Sequence, residues 1–182
     1  MDQSDIKYIA PDFAAILNAR GELHQLLGQV IMIISAVPRY RLHPIADLTA
    51  MVIDPLLRGR LSTATPQSSQ ERASAPGGLN GLVIWATVSD AVDTKIRTQI
   101  EADVFPIRLI GDEWNSGQHF WILDVIAPTP QLAKTILVQF RASMAATLVS
   151  LHPHMTRLFD NDFLATLALL HTEAPDTKRV LN

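Results

Sequence analysis

Apolar residues recur every three or four positions near the start of the chain, which is the spacing of one face of an α-helix. Asp12 is a suitable N-cap for a short helix through Asn18, and Gly21 is predicted to end that helix. A second helix is predicted from Glu22 to Ala36, and Pro38 follows its end. Its apolar face comprises Leu23, Leu26, Leu27, Val30 and Ile34.

Two prolines frame a third predicted helix. Pro44 suits a first helical turn, where its missing N–H loses no hydrogen bond, and Pro55 marks the end. The segment from Arg39 to His43 is therefore predicted to be a loop between two helices, and functional side chains are often found on such loops.

Runs of branched and aromatic residues predict the strands of a sheet. Leu61 to Thr65 is a candidate strand, and LVIWATVS (Leu82 to Ser89) and FWILDVIA (Phe120 to Ala127) are predicted to be buried strands. Helices are predicted from about Asp90 to Ala102 and from Gln131 to Leu151. This alternation indicates an α/β (α+β) fold in which helices flank a sheet.

The length of 182 residues and the apolar content of 48% predict one domain, residues 1–182, with one core. Within it, the polar stretch from Pro66 to Gly78 has nothing to bury, so a flexible surface loop is predicted at about residues 66–80. The segment from Met155 to Leu170 fits a strand as well as a helix.

The composition and the net charge exclude several classes of binding partner and of functional site. The 15 basic and 18 acidic residues give a net charge of −3, which argues against a protein that binds nucleic acid or an anionic membrane. The absence of cysteine excludes a disulfide framework, a zinc–thiolate site and a cysteine nucleophile. The most apolar stretch, Leu26 to Val37, is too short to span a bilayer, and the amino terminus lacks the pattern of a signal peptide. A cytoplasmic protein without a membrane span is expected.

Asp124 is the most informative candidate for chemistry, because it interrupts an apolar strand and a buried carboxylate needs a partner. It either faces a polar surface or orients a base. The six histidines form no HExxH motif, and His152-x-His154 by itself favours a surface loop around Pro153 over a metal site. No GxSxG elbow is present, which argues against Ser/His/Asp hydrolysis. No glycine-rich phosphate loop is present either, and no bound cofactor is expected.

Several motifs occur in an order that is typical of one enzyme family. The longest is EWNSGQHFWILDVIAP, from Glu113 to Pro128, which is similar to the pattern D-W-x-S-G-x-x-x-W-x-x-D-x-I-A-P. From about Leu26 to Pro130, the chain resembles the RTX toxin-activating lysine acyltransferases, the family of the haemolysin activator. The segment from about residue 152 is divergent, because it lacks the family's glycine-rich, basic part. The shorter matching motifs are Leu27-Gly28, Ser35, Pro38-x-x-Arg41, Pro44, Pro55 and Trp85-Ala86.

The resemblance implies transfer of a fatty acyl group from acyl carrier protein to internal lysines of an RTX-type protein. It also implies a GNAT-like mixed central sheet flanked by helices in a single domain, a cytoplasmic location and, as in some members, a homodimer. The family's catalytic pair is a histidine and an aspartate, and Asp124 matches the aspartate. The histidine position, twelve residues after Gly28 and four before Pro44, holds Tyr40, and His43 is the nearest imidazole in sequence.

Acylation needs the neutral amine of lysine, whose usual pKa is about 10.4, so a base that works near neutral pH is needed. The expected catalytic site combines Asp124 with His43 or Tyr40. We expect it in a cleft between the two buried strands, where a backbone N–H freed by their separation would hold the thioester oxyanion. Pro44 favours an extended His43, which would place positions 40 and 43 on opposite faces, whereas a turn would bring them together.

Two other functions remain open at this point. One is a homologue with altered catalysis that binds acyl carrier protein or a client protein as a chaperone or regulator. The other is a GNAT-like enzyme that transfers acetyl from coenzyme A to a small amine.

Overall fold

The computed structural model describes residues 13–66, 68–69, 73, 75–144, 148–156, 158–160 and 162–164. In this part of the chain, one open sheet has the strand order β1-β2-β3-β4. The pairs β1/β2 and β2/β3 are antiparallel, whereas β4 runs parallel to β3. The predicted mixed α/β fold in a single domain is confirmed. The strands are β1 (Leu61–Ala64), β2 (Gly81–Val88), β3 (His119–Ile126) and β4 (Val149–Leu151).

Helices of several kinds connect these strands. Short 3₁₀ segments cover Pro38–Tyr40, Ile45–Asp47, Pro76–Gly78 and Gly111–Trp114, and a π-helical segment covers Thr49–Ile53. The α-helices are α1 (Phe13–Ala36), α2 (Asp54–Leu57), α3 (Asp90–Glu101), α4 (Pro130–Ser143) and α5 (Pro153–Thr156). None of the described helices combines the length and the apolar character that crossing a membrane requires.

The sheet separates two apolar clusters, which we call the α1 side and the α4 side. On the α1 side, Val30 and Ile33 of α1 pack with side chains of α3 and of one face of the sheet. On the α4 side, Leu137 and Phe140 pack with the opposite face of the sheet. Because both faces are covered, β2 and β3 are apolar along almost their whole length.

A β-bulge in β3 determines on which face of the sheet the Asp124 side chain lies. Ile84 of β2 pairs with Asp124, but the next residue of β2 pairs with Ile122, so Leu123 is an extra residue. Cross-strand partners share a face of the sheet, and Ile84 belongs to the α1 side. The bulge therefore directs Asp124 to the α1 side, where strict alternation from Leu123 would have turned it towards α4.

The first and second predicted helices are one helix. Gly21 was expected to end a helix by adopting a left-handed conformation, but α1 continues through it to Ala36 without a positive φ there. A glycine inside a helix costs only about 1 kcal/mol relative to alanine, which the packing of the apolar face of α1 outweighs. The predicted cap Asp12 lies outside the described residues.

The segment between Pro44 and Pro55 does not form the predicted regular helix. It is a 3₁₀ turn followed by the π-helical segment and the single turn α2. Within it, Met51 and Val52 are buried against the α1 side. The apolar pattern therefore predicted the buried residues correctly but not the helix type.

The last long helix is shorter than predicted. α4 ends at Ser143, and Met144 is extended, although the apolar spacing continues to Leu151. Residues Val149–Leu151 instead form β4, which pairs with the free edge of β3. Backbone pairing at an open sheet edge therefore prevails over helical periodicity, and Leu148 is left exposed.

The cleft predicted between the two buried strands is absent. β2 and β3 pair from Leu82↔Ile126 to Val88↔His119, with only the bulge as an interruption. Apart from the bulge, their backbone groups are therefore paired in the sheet, and the strands do not part to form the expected cleft.

The predicted flexible loop at about residues 66–80 has an ordered, packed end. Gly77 adopts a φ of 63°, and a Cβ there would lie 2.6 Å from the carbonyl oxygen of Gln29 in α1. Leu79 is buried on the α1 side. Of the ambiguous segment from Met155, only residues up to 164 are described in part, and Met155 packs on the α4 side.

Candidate active site

The carboxylate of Asp124 lies inside the protein, with 5% of the residue exposed. Arg39 donates a hydrogen bond from its guanidinium to Oδ1 at 2.8 Å, and the same group donates to the carbonyl of Val125 at 2.6 Å. The hydroxyl of Tyr40 donates to Oδ2. Both carboxylate oxygens are thus bound by donors, which is the condition for burying such a group.

A short turn after α1 brings Arg39 and Tyr40 to this carboxylate. Pro38 follows α1 and opens the 3₁₀ segment Pro38–Tyr40, in which the amide of Tyr40 donates to the carbonyl of Val37. Tyr40 is buried, with 3% of the residue exposed, whereas Arg39 keeps about a third of its side chain in solvent. Its guanidinium also lies 4.7 Å from the centre of the Tyr40 ring.

Burial governs the electrostatics of this pair. Loss of water raises the pKa of the Asp124 carboxyl above its ordinary value, while Arg39 and the Tyr40 hydroxyl oppose that rise. Burial, followed by the nearby Asp124 carboxylate, raises the pKa of the Tyr40 phenol well above 10.0. Tyr40 therefore stays protonated at neutral pH and acts as a hydrogen-bond donor.

His43 lies beside Tyr40 but does not bind Asp124. The amide of His43 donates to the carbonyl of Tyr40, so the segment turns, and the two ring centres are 5.9 Å apart. The Nδ1 atom of His43 lies 3.2 Å from Oδ2 of Asp47, and the other oxygen of Asp47 lies 3.4 Å from Arg108. Of the two expected partners of Asp124, the structure therefore shows Tyr40 and not His43, and the carboxylate next to the His43 ring is that of Asp47.

Phe105 joins the imidazoles around the site. Its ring centre lies 5.6 Å from that of His43, 5.9 Å from that of His152 and 5.0 Å from that of His154. His152 is buried with 2% exposed, and its Nε2 has no hydrogen-bond partner among the described residues. Burial and the neighbouring His154 lower its pKa to about 4, so His152 is neutral at physiological pH.

The pair His152-x-His154 is therefore not the exposed loop that was predicted. The amide of His152 donates to the carbonyl of Ile122 in β3, which places its side chain against the sheet. Its ring stacks on that of His154 with centres 5.1 Å apart. Among the described residues, no group of three or more side chains of the metal-ligating types is close enough to hold a metal ion.

An apolar pocket of about 420 Å³ adjoins Tyr40 and His43. Its walls come from α1 and from the 3₁₀ and π-helical segments, so both residues lie where the turn after α1 meets those segments. The pocket is lined by Ile31, Ile34, Ser35, Tyr40, Arg41, His43, Ile45, Leu48 and Met51. It has the size of a small-ligand site, and most of its lining side chains are apolar.

A second, much smaller cavity of about 20 Å³ touches Asp124 on the α1 side. Trp114, from the EWNSG motif, also lines it, and the indole N–H of Trp114 has no hydrogen-bond partner among the described residues. The tryptophan of the motif is thus a buried wall of the carboxylate site.

The structure therefore brings the three predicted site residues close together, but not all of them contact one another. Asp124 and Tyr40 are bonded, and His43 lies next to Tyr40 but pairs with another carboxylate. Sequence reasoning missed Arg39 as the positive partner of Asp124, although it precedes Tyr40 directly. It also missed Asp47, for which the spacing of four residues from His43 was an available signal.

A mixed α/β domain with a buried carboxylate beside an apolar pocket has the make-up of a small-molecule or group-transfer site. The comparison with family models is specific: residues 20–154 match the RTX toxin acyltransferase family, HlyC. The match covers most of the chain and includes α1 from Arg20 onwards, the turn with Tyr40, β3 and the His152–His154 segment. The chain belongs to the RTX toxin acyltransferase family. Comparison with individual curated proteins gives no match.

Family membership confirms the predicted resemblance and the assignment as an acyltransferase. It implies acyltransferase activity on RTX toxins.

Proposed function

We propose that this protein is a lysine N-acyltransferase that takes a fatty acyl group from acyl carrier protein and transfers it to internal lysines of an RTX-type toxin or a related protein. The observation that carries the proposal is that His43 and Tyr40, the latter bonded to Asp124, line one apolar pocket in a chain of this family. A GNAT-related ancestry, a cytoplasmic location and a homodimer are further parts of the proposal.

The apolar pocket supplies a site for the acyl chain. Five of its lining residues are aliphatic or methionine, and its volume of about 420 Å³ lies within the range of small-ligand pockets. Burying methylene groups there would contribute about 0.8 kcal/mol for each group. The thioester would then lie at the mouth of the pocket, where the lining residue Ile45 is exposed.

The chemistry of the transfer assigns different tasks to Tyr40 and His43. The neutral lysine amine attacks the thioester carbonyl, a C–N bond forms, and the C–S bond breaks. The amine loses one proton, and the thiolate of the carrier gains one. The phenol of Tyr40 cannot accept this proton at neutral pH because its pKa is raised, so the imidazole of His43 is the proposed base.

The direct test uses purified protein, acyl-loaded carrier protein and an RTX-type substrate. We expect intact-mass and peptide mass spectrometry to find the fatty acyl mass on lysine. The His43→Gln variant should lose this activity, and His24→Gln, which changes an exposed histidine of α1, should keep it. A wild-type protein that adds no acyl mass to any RTX-type partner encoded nearby would overturn the proposal.

A second candidate function is that of a binding homologue with altered catalysis, a chaperone or regulator for acyl carrier protein or for the client. One observation favours it: Asp124 is paired with Arg39 and with a protonated phenol, so this carboxylate orients no imidazole. In that case Tyr40→His should create or raise activity, while His43→Ala changes little. Loss of a measured activity in His43→Ala would eliminate this candidate.

A further inference from the structure

We propose that Asp47 is a positioning residue for His43, and that the His43–Asp47 pair, in place of the Tyr40–Asp124 pair, handles the proton during acyl transfer. This inference rests on the proposed function and names a carboxylate within its site. The observation behind it is the contact of 3.2 Å between Nδ1 of His43 and Oδ2 of Asp47, at the wall of the apolar pocket.

Local backbone structure holds these two residues together. His43 ends a turn on the carbonyl of Tyr40, and the amide of Asp47 donates to the carbonyl of Pro44 in the next turn. The spacing of four residues thereby places both side chains on one surface of the segment. Both are largely shielded, with 23% of the His43 side chain and 15% of the Asp47 side chain exposed.

The other groups around His43 support this arrangement. Arg108 contacts the second oxygen of Asp47 at 3.4 Å and so limits rotation of the carboxylate. Phe105 packs its ring at a steep angle to the imidazole, with centres 5.6 Å apart. Tyr40 borders the ring on another side, and Arg41 lines the same pocket.

The carboxylate decides which nitrogen of His43 is free. An ionised carboxylate only accepts hydrogen bonds, so the neutral imidazole that satisfies Asp47 carries its hydrogen on Nδ1. The lone pair is then on Nε2, which has no hydrogen-bond partner among the residues that the structure describes. Nε2 can take the proton from the attacking amine and return it to the carrier thiolate, while Asp47 stabilises the imidazolium.

Asp124 is unsuited to the same task. Its two oxygens are bound by Arg39 and Tyr40, so its negative charge is already neutralised by a guanidinium. The carboxylate of Asp47 also bears a guanidinium contact, but its second oxygen faces an imidazole. We therefore assign proton transfer to the His43–Asp47 pair and a structural role to the Tyr40–Asp124 pair, which holds Tyr40 in the pocket wall.

The test combines kinetics with a spectroscopic signature. In Asp47→Asn we expect kcat to fall about 10- to 100-fold with little change in KM, because binding of the acyl chain is untouched. Asp47→Glu should recover part of the rate. The ¹⁵N chemical shifts of His43 should show hydrogen on Nδ1 in the wild type and a mixture of tautomers in Asp47→Asn.

A further variant and a control separate positioning from stability. Arg108→Gln removes the ion pair of Asp47 but leaves its contact with His43, so kcat should fall less than in Asp47→Asn. Asp112→Asn changes an exposed aspartate and should behave as the wild type. A wild-type protein without acylation activity would overturn the proposed function. An unchanged kcat in Asp47→Asn, or hydrogen on Nε2 of His43 in the wild type, would overturn the role of Asp47 alone.

Discussion

The hydroxyl of Tyr40 donates its hydrogen to the carboxylate of Asp124, a residue 84 positions further along the chain. Both residues are buried, and Arg39 completes the group from the same turn as Tyr40. The contact fixes the turn after α1 to the centre of the sheet.

The Tyr40–Asp124 hydrogen bond should appear as coupling between two substitutions. Tyr40→Phe and Asp124→Asn should each lower the free energy of unfolding. Because a hydrogen bond to a charged group contributes about 1.5 to 3 kcal/mol, the double variant should lose less than the sum of the single losses by an amount in that range. Urea unfolding of the four proteins measures this coupling. As a control, Tyr40→Phe with the exposed-site change Asp112→Asn should be additive, and additivity in the first cycle would contradict the prediction.

Alkaline pH should destabilise the protein partly through Tyr40. The unfolded chain loses the phenolic proton near pH 10.0, whereas the folded chain keeps it to higher pH because burial and Asp124 raise the pKa. The contribution of Tyr40 to the free energy of unfolding is therefore fully present below pH 10. It is lost as the pH rises above 10, by up to about 1.4 kcal/mol per pH unit. Urea unfolding between pH 9 and 11.5 should show a shallower decline in Tyr40→Phe. Parallel declines in the two proteins would be evidence against this effect.

Acid pH should destabilise the protein partly through His152. Its pKa falls from 6.5 to about 4 on folding, so between these values the unfolded chain binds the proton and the folded chain does not. The contribution of the neutral His152 to the free energy of unfolding is therefore complete above pH 6.5 and is lost as the pH falls towards 4. His152→Gln should flatten this part of the stability profile, and His24→Gln, at an exposed position, should not. Thermal unfolding at half-unit steps of pH makes the comparison.

Two glycines of the matching motifs should respond oppositely to alanine. At Gly117, a Cβ would lie 2.6 Å from the Cα of Ser89 and 2.6 Å from the carbonyl oxygen of Val88, so Gly117→Ala should destabilise the junction of β2 and α3 by more than 1 kcal/mol. Gly28 lies inside α1, and a Cβ added there would have no described atom within 4 Å apart from its chain neighbours and the backbone of the helix itself. Gly28→Ala should raise the free energy of unfolding by about 0.5 to 1 kcal/mol. Thermal or urea unfolding ranks the two variants, and a neutral Gly117→Ala would refute the packing argument.

The sequence was most informative where an apolar pattern and a turn signal agree. β1, β2, β3 and α3 lie within one or two residues of their predicted ranges, because runs of branched residues mark the strands. Ser89, predicted as the end of a strand, caps α3 in the structure. The pattern failed at Gly21 and after Ser143. In both places a tertiary interaction, helix packing or edge pairing, decided between conformations that the local sequence allows.

The residues Asp124, Tyr40 and His43 were predicted from the sequence, but the sequence left open whether Asp124 pairs with His43 or with Tyr40. The apolar surroundings of Asp124 indicated that it needs a partner, and its bond to Tyr40 meets that need. The preference of Pro44 for an extended His43 suggested that positions 40 and 43 diverge, but the hydrogen bond from His43 to the Tyr40 carbonyl closes a turn. Which carboxylate meets the imidazole depends on this turn, so the spacing of four residues between His43 and Asp47 indicates the pair only once the turn is known.

The extra residue at Leu123 makes the site sensitive to the register of β3 against β2. If β3 paired with β2 without the bulge and kept its length, Ile122 would stay opposite Trp85 and Asp124 would move opposite Val83, away from Arg39 and Tyr40 and towards α4. A guanidinium would then face an apolar wall without its counter-charge. In this protein the pairing of β3 matters to the acid as much as the identity of its residues.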